Sequence, residues 1–357
     1  MVQKDGGVVV KDQMKALIKE RKTQGFSLKE VEIPSELGPN DVLVKVLKAS
    51  ICGTDVHIFS WDEWSQRRIK PPQVVGHEFF GKVVDIGSNV SSVKVGDVVT
   101  AETHIPCGKC LQCRTGRMHI CKNLKILGVD IDGVFAEYVR VPEVVLWKLD
   151  PSIPEDFASV MEPFGNAVHT CAPLDMRGMR VLITGAGPIG AFSVGLSKLF
   201  GASLVIVTEL NETRKNLAKR MGADIVLDPR KDDVLSSVSR LTEEDGADIL
   251  LEMSGNESAL IQGLSCLTNG GIVSILGVYP SSVTMDINSL LTFKGITLYA
   301  ITGRKMFETW RTASSLLKHN RIDITPVITH VFSFEKWQEA MQTMMSGHSG
   351  KIILNLE

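Results

Sequence analysis

A chain of 357 residues is long enough for two ordinary domains or one large one. With 44% hydrophobic residues, 22% charged residues and a formal charge of −2, it reads as a globular protein with a full core, without the basic surplus of a nucleic-acid or membrane-surface binder. Its seven cysteines are an odd number in a chain too large to need disulfide staples, so they point to metal ligation in a reducing, cytoplasmic setting.

Residues 1–13 carry no apolar core of signal-peptide length and read as a flexible extension. Regular alternation begins at Lys15-Ala-Leu-Ile. From there to about residue 165 short β-like runs, such as Asp41-Val-Leu-Val-Lys-Val and Gly81-Lys-Val-Val-Asp-Ile, are separated by turns at Gly87 and Gly96. That texture predicts an all-β, barrel-like domain.

Two sets of metal-ligating residues fall in or beside this region. Cys52 opens Cys-Gly-Thr-Asp-Val-His57, His77 and Glu78 sit in Gly76-His-Glu-Phe-Phe-Gly81, and Glu162 lies further on. A thiolate, an imidazole and a carboxylate form a mixed set suited to a catalytic zinc that keeps a position for substrate. Adjacent residues of a regular strand point to opposite faces. His77 and Glu78 therefore reach one ion only if the chain bends there; otherwise Glu78 binds intermittently. The second set is compact: Cys107-x-x-Cys110-x-x-Cys113, then Cys121. Four thiolates on one loop make a closed structural zinc site, with an iron–sulfur cluster as the rival, because spacing alone does not name the metal.

From about 166 to 304 the pattern becomes strand, helix, strand, helix. Strands are predicted at Arg180–Thr184, Leu204–Glu209, Asp224–Leu227, Asp248–Met253, Gly271–Gly277 and Ile296–Ile301, with a helix over Asn211–Met221 closed by Gly222. This is the signature of an α/β doubly wound parallel sheet. Between the first strand and its helix stands Gly185-Ala-Gly-Pro-Ile-Gly190, a G-x-G-x-x-G turn that brings a dinucleotide pyrophosphate to a helix N-terminus. Glu209 ends the next strand, where a carboxylate accepts both ribose hydroxyls and repels a 2′-phosphate, so NAD is favoured over NADP. Arg214, one turn into the following helix, is placed to meet the adenosine. A helix over Phe307–Lys318 and a closing strand at Lys351-Ile-Ile-Leu-Asn-Leu complete the chain; this last piece is expected to return to the first domain.

Taken in this order, the motifs resemble those of the zinc-dependent medium-chain alcohol dehydrogenases, over nearly all of residues 14–357. The longer runs Cys52–Trp64, Glu162–Thr170, Leu251–Gly255 and Gly303–Trp310 are similar to the branch of that family that acts on L-threonine. The resemblance implies a GroES-like β-barrel catalytic domain over 14–165, completed by about 305–357, and a Rossmann NAD-binding domain over 166–304. It also implies a homotetramer and oxidation of the secondary hydroxyl of L-threonine to 2-amino-3-oxobutanoate by hydride transfer to NAD. By the same resemblance Cys52, His77 and Glu78 become ligands of a catalytic zinc, and Cys107, Cys110, Cys113 and Cys121 hold a structural zinc. Thr54 and His57 become a proton relay, with Glu162 supporting it beside the metal. The matching NAD positions are Gly185, Gly187, Ile189, Gly190, Glu209, Arg214, Leu276, Gly277, Val278, Ile301 and Thr302. An amino-acid substrate also needs a carboxylate partner, and Arg304, just past the end of a strand, is the candidate because its planar fork suits a carboxylate. Two rival readings are a polyol or secondary-alcohol dehydrogenase with the same zinc and NAD chemistry, and a non-catalytic NAD-binding protein holding structural zinc alone. The resemblance gives residues 1–13 no role.

Overall fold

Along the strand Asp41–Ile51 the side chains of Val42, Val44 and Val46 are fully buried while Lys45 is exposed, the period-two alternation that pins one face of a strand to a core. This strand is the hub of a seven-stranded sheet in the computed structural model, which describes residues 12–357. The extension expected over residues 1–13 therefore lies, up to residue 11, outside the described residues. The hub pairs antiparallel with Glu78–Ile86, Tyr138–Pro142 and Lys351–Asn355. Val98–Ala101 and Leu146–Lys148 extend the sheet on one side, and Ile328–Ser333 on the other. The closing strand thus joins the first sheet, in the register Ile352↔Ile51. A small antiparallel sheet of Ser27–Glu32, Gln13–Lys19 and Gln73–Val74 lies beside it.

The middle of the chain forms a six-stranded parallel sheet. Its order is Ile225–Leu227, Leu204–Thr208, Arg180–Thr184, Ala247–Glu252, Leu267–Ile275, Thr297–Ala300. Val181, Leu182 and Ile183 of its central strand have no exposed surface, the consequence of helices covering both faces. The chain reverses direction across the sheet beside Arg180–Thr184, so a crevice opens at the carboxyl ends of the strands, where the glycine turn sits. Helix Glu212–Arg220 begins where Asn211 accepts a hydrogen bond from the Arg214 N–H at 3.1 Å, and it ends before Gly222, whose φ of +101° closes it.

Helix Met161–Cys171 lies between the two sheets, and all of its residues but Asn166 are buried. It packs against helices Pro188–Leu199 and Glu308–Lys318, with Phe164 edge-to-face on Phe192 at 5.4 Å. Burying Phe164 alone stabilises by roughly 1.5–3 kcal/mol. The helix brings Glu162, in its first turn, to the seam between the halves. No helix among the described residues is long and apolar enough to cross a membrane.

Candidate active site and metal centres

Cys52, His77 and Glu78 converge: one ligand atom from each lies within 4.8 Å of the others. Cys52 is the N-cap of helix Gly53–Ser60, where its N–H donates to Asp55 Oδ2 at 2.8 Å. The bend that lets His77 and Glu78 face one point is at Gly76, whose φ is +88° and where a Cβ would stand 2.3 Å from the Phe135 ring. No other residue fits that turn. The regular strand begins only at Glu78, so the opposite-faces rule does not reach His77.

The polar atoms of this cluster fit a cation. His77 Nδ1, Glu78 Oε1 and Asp55 Oδ1 are buried without a hydrogen-bond partner, a costly state unless something else meets them. Burial alone would lower the pKa of His77, yet the negative charges of Asp55, Cys52 and Glu78 push it up to about 10. Burial pushes Asp55 up to about 6, although His77 and the Cys52 N–H pull the other way. An anionic cavity of this kind accepts a divalent ion. Glu78 is shared: Oε2 accepts from Ser50 Oγ and Lys351 Nζ, while Oε1 faces His77 Nε2 at 4.0 Å. Lys351 also donates to the Ile51 carbonyl at 2.7 Å.

The four-cysteine loop is equally well formed, with its sulfurs within 4.8 Å of one another. Cys110 Sγ lies 3.4 Å from Cys113 Sγ and 3.7 Å from Cys121 Sγ. Zinc–thiolate bonds of about 2.3 Å around one tetrahedral ion put sulfurs about 3.8 Å apart. The loop therefore matches a single ion and leaves no room for the core of an iron–sulfur cluster. Backbone N–H groups of Lys109 and Cys110 bring the Cys107 thiol down to about 6. Burial and the neighbouring thiols push Cys113 up to about 12. Four adjacent thiolates cannot share this space without a cation. All seven cysteines are free, and Cys171 and Cys266 are buried core residues.

Glu162 stands beside the first cluster but outside it. Its Oε1 meets Arg304 Nη1 at 2.6 Å and Thr103 Oγ1 at 3.3 Å. Arg304, expected to hold a substrate carboxylate, is only 1% exposed. Four hydrogen bonds engage it, two to Glu102 through Nε (2.9 Å) and Nη2, one to Thr103 (2.9 Å) and one to Asn166 (3.0 Å), and Glu162 pairs with it as an ion. Buried and already paired with two carboxylates, it is not open to a substrate, so the expectation is corrected: Arg304 is a buried brace, because burial and existing partners override the fit of its fork.

Thr54 and His57 are three residues apart on helix Gly53–Ser60 and so share a face. Thr54 Oγ1 lies 3.9 Å from Cys52 Sγ, and the His57 side chain is 60% exposed.

At the glycine turn Gly185 has φ +86°, and a Cβ on Gly190 would stand 2.1 Å from the Gly185 carbonyl. A Cβ on Gly187 would meet nothing within 4 Å: that position faces open space, as a pyrophosphate approach requires. Ile189 lies in the first turn of helix Pro188–Leu199, which has Pro188 at its first position and no side-chain cap, so its free N–H groups remain for an anion. Glu209 takes the Ala186 N–H at 2.7 Å and those of Leu210 and Asn211 at 2.8 and 2.9 Å, while Arg214 Nε is buried without a partner. Leu276 and Gly277 donate backbone N–H groups to the Glu252 carbonyl, and Val278 is 90% exposed. Ile301 and Thr302 follow the strand Thr297–Ala300.

Four residues were not reached from the sequence: Asp55 behind His77, Lys351 and Ser50 on Glu78, and Glu102 within the Arg304 brace. Only Asp55 left a signal, as the acid within the Cys52–His57 run.

Residues 38–151 match the family model described as alcohol dehydrogenase GroES-like domain, and residues 188–319 match zinc-binding dehydrogenase. L-threonine 3-dehydrogenase of Pyrococcus horikoshii is 49% identical over 97% of this chain and 99% of its own length. That of Bacillus subtilis is 50% identical over 96% and 98%. An alcohol dehydrogenase of Escherichia coli, solved in complex with NADH, superposes with a TM-score of 0.89 at 28% identity, covering 97% of this chain and all of its own. With these matches and its paired metal-binding clusters, the chain belongs to the zinc-dependent medium-chain dehydrogenases.

Proposed function

We propose that this protein oxidises the secondary hydroxyl of L-threonine to 2-amino-3-oxobutanoate, with NAD as acceptor. The observation that carries the reading is near-50% identity, end to end, with relatives named L-threonine 3-dehydrogenase. Cys52, His77 and Glu78 would hold the catalytic zinc, and Cys107, Cys110, Cys113 and Cys121 the structural one. When bound, zinc supplies a positive charge that eases ionisation of the substrate hydroxyl, and NAD supplies the hydride acceptor. Thr54 takes the hydroxyl proton while giving its own to His57, which passes it to water from its exposed position. Glu162 stands beside the cluster against Arg304; burial raises its pKa, while the charge of Arg304 favours its carboxylate form. Gly185, Gly187, Ile189 and Gly190 would receive the pyrophosphate, Glu209 and Arg214 the adenosine end, and Leu276–Val278 with Ile301 and Thr302 the nicotinamide end.

The reading divides the chain into a catalytic part, 14–165 with 305–357, and an NAD-binding part, 166–304; pairing of the closing strand with Asp41–Ile51 supports it. Pairing with a second copy, one of the contacts a homotetramer would need, is supported by the edge strand Thr297–Ala300, whose Leu298 and Tyr299 are over 40% exposed beside an exposed Phe293. Seven free cysteines support a reducing, cytoplasmic location.

The test is NADH formation by the zinc-loaded chain with L-threonine, its stereoisomers, 2,3-butanediol and sorbitol, repeated after chelation. L-Threonine should give the highest kcat/KM, and chelation should abolish turnover. A preference for a polyol overturns the substrate assignment. Turnover that survives removal of all metal overturns the zinc assignment.

A further inference from the structure

Helix Gly53–Ser60 stops at Trp61, whose left-handed backbone (φ 57°) reverses the chain into helix Glu63–Arg68. The reversal folds Asp62 back onto the helix it has just left. Its Oδ2 faces His57 Nδ1 at 2.5 Å. Its Oδ1 accepts the Ser65 N–H at 3.0 Å as the N-cap of the second helix. Ser65 Oγ lies 2.6 Å from the His57 carbonyl oxygen and 2.9 Å from Asp62 Oδ1, which ties the two helix ends together. The Trp64 ring stands 6.1 Å from the imidazole, centroid to centroid. One nitrogen of His57 is therefore engaged by a carboxylate, and Nε2 has no partner among the described residues.

We propose that Asp62 is a positioning residue of the proton relay: it holds His57 with Nδ1–H directed at Oδ2, so that Nε2 presents its lone pair to the proton arriving from Thr54. The proposal rests on the reading above that Thr54 and His57 form the relay. As the substrate O–H bond breaks, its proton forms a bond to Thr54 Oγ. The proton already on Thr54 moves to His57 Nε2, and the resulting imidazolium keeps Nδ1–H on the Asp62 carboxylate. The Nε2 proton then leaves to water, and His57 returns to the tautomer from which it began.

The state of Asp62 suits this task. Partial burial opposes its ionisation, but the Ser65 N–H, His57 and the Ser65 hydroxyl outweigh that and hold its carboxyl below the usual carboxylate range. Both side chains are more than a third exposed, so the pair adds little to stability. Its work is to select which ring nitrogen carries the hydrogen, a choice made by the partner of the other nitrogen.

Asp62→Asn separates this role from capping. Asparagine caps a helix as well as aspartate does, and its Oδ1 can keep the Ser65 N–H. Its amide then offers an N–H to Nδ1, which leaves the imidazole hydrogen on Nε2, where it blocks the relay. With zinc-loaded full-length enzyme, NAD and L-threonine, D62N should lose about 10- to 100-fold in kcat, with both KM values within about twofold. Its Tm should stay within about 2 °C, and the solvent deuterium isotope effect on kcat should rise. In an H57N background, adding D62N should change kcat by less than about twofold, since the histidine it positions is gone. A D62N enzyme with kcat within about twofold of the parent overturns the proposal; so does an equal fractional loss in both backgrounds, which marks a structural role. Should the parent turn over 2,3-butanediol but not threonine, the substrate reading falls, and the same ratios measured on that alcohol decide the role of Asp62.

Discussion

Arg304→Met probes how the two halves of this enzyme are braced. The guanidinium is 1% exposed and makes contacts with Glu102, Thr103, Asn166 and Glu162. Methionine fills the volume of the stem and removes all of them. Two carboxylates, 0% and 7% exposed, are then left in the interior with no cation between them. Removing one partner of a buried ion pair costs about 3–5 kcal/mol, because the remaining charge stays desolvated. Here the lower end applies: Glu102 keeps the Trp310 Nε1–H at 2.8 Å and the His104 N–H at 3.0 Å, and Glu162 keeps Thr103. About 3 kcal/mol in a chain of 357 residues corresponds to a Tm lower by roughly 4 °C.

The pH dependence carries a sign. Burial opposes ionisation of Glu102, but Arg304 outweighs it and holds the carboxyl below its ordinary range. Its contribution to stability is therefore present above the unfolded pKa and lost as pH falls through the folded one. Without Arg304, burial alone acts on Glu102, and the buried group gains by taking up a proton. The stability gap between R304M and the parent should narrow as pH is lowered from 7 to 5, and adding Glu102→Gln should recover part of the loss at pH 7. Thermal unfolding of the zinc-loaded protein at several pH values reads all three effects. A loss below about 1 kcal/mol at pH 7, or a gap that widens on acidification, would refute the brace. Unchanged stability with a KM for threonine raised about a hundredfold would restore Arg304 to the substrate.

The glycine turn and the cysteine loop give two more tests. Gly187→Ala places a Cβ in open space at a φ of −57°, so the variant should fold with parental Tm yet raise KM for NAD at least about tenfold, because the methyl group stands where the pyrophosphate must approach. Gly190→Ala instead meets the Gly185 carbonyl at 2.1 Å and should lose stability as well as NAD binding; equal behaviour of the two variants by calorimetry would contradict the assignment. The protein should hold two zinc ions per chain, falling to one in Cys110→Ser. With the Cys113 thiol pushed up to about 12, refilling the emptied loop at neutral pH must release protons, and zinc affinity should climb with pH across the range between Cys107, at about 6, and Cys113. A pH indicator during zinc titration measures the release, and uptake without proton release would show that these thiols are not the ligands.

How far the sequence reached follows from the distance over which its signals act. The glycine turn, the four-cysteine loop and the parallel strands are legible because each is written in contiguous residues, where spacing maps directly onto backbone geometry. Periodicity misled at His77 and Glu78, which a regular strand sets on opposite faces; the positive φ of Gly76 undoes that rule one residue earlier than the pattern can show. Arg304 looked like a ligand-binding group because its position at a strand end is visible in sequence, whereas its burial is not. Partners drawn from far along the chain leave no local trace: Glu102 lies 202 residues from Arg304, and Glu78 lies 273 from Lys351. The last pair explains a feature that periodicity alone does not. The closing strand is an apolar run buried on both faces, which by itself fits several registers along Asp41–Ile51. In only one of them does the lysine at its start reach both the Ile51 carbonyl and the buried carboxylate of Glu78. Any slip would bury two unpaired charges at a cost of several kcal/mol, so the metal centre selects the register of the strand that completes the first sheet.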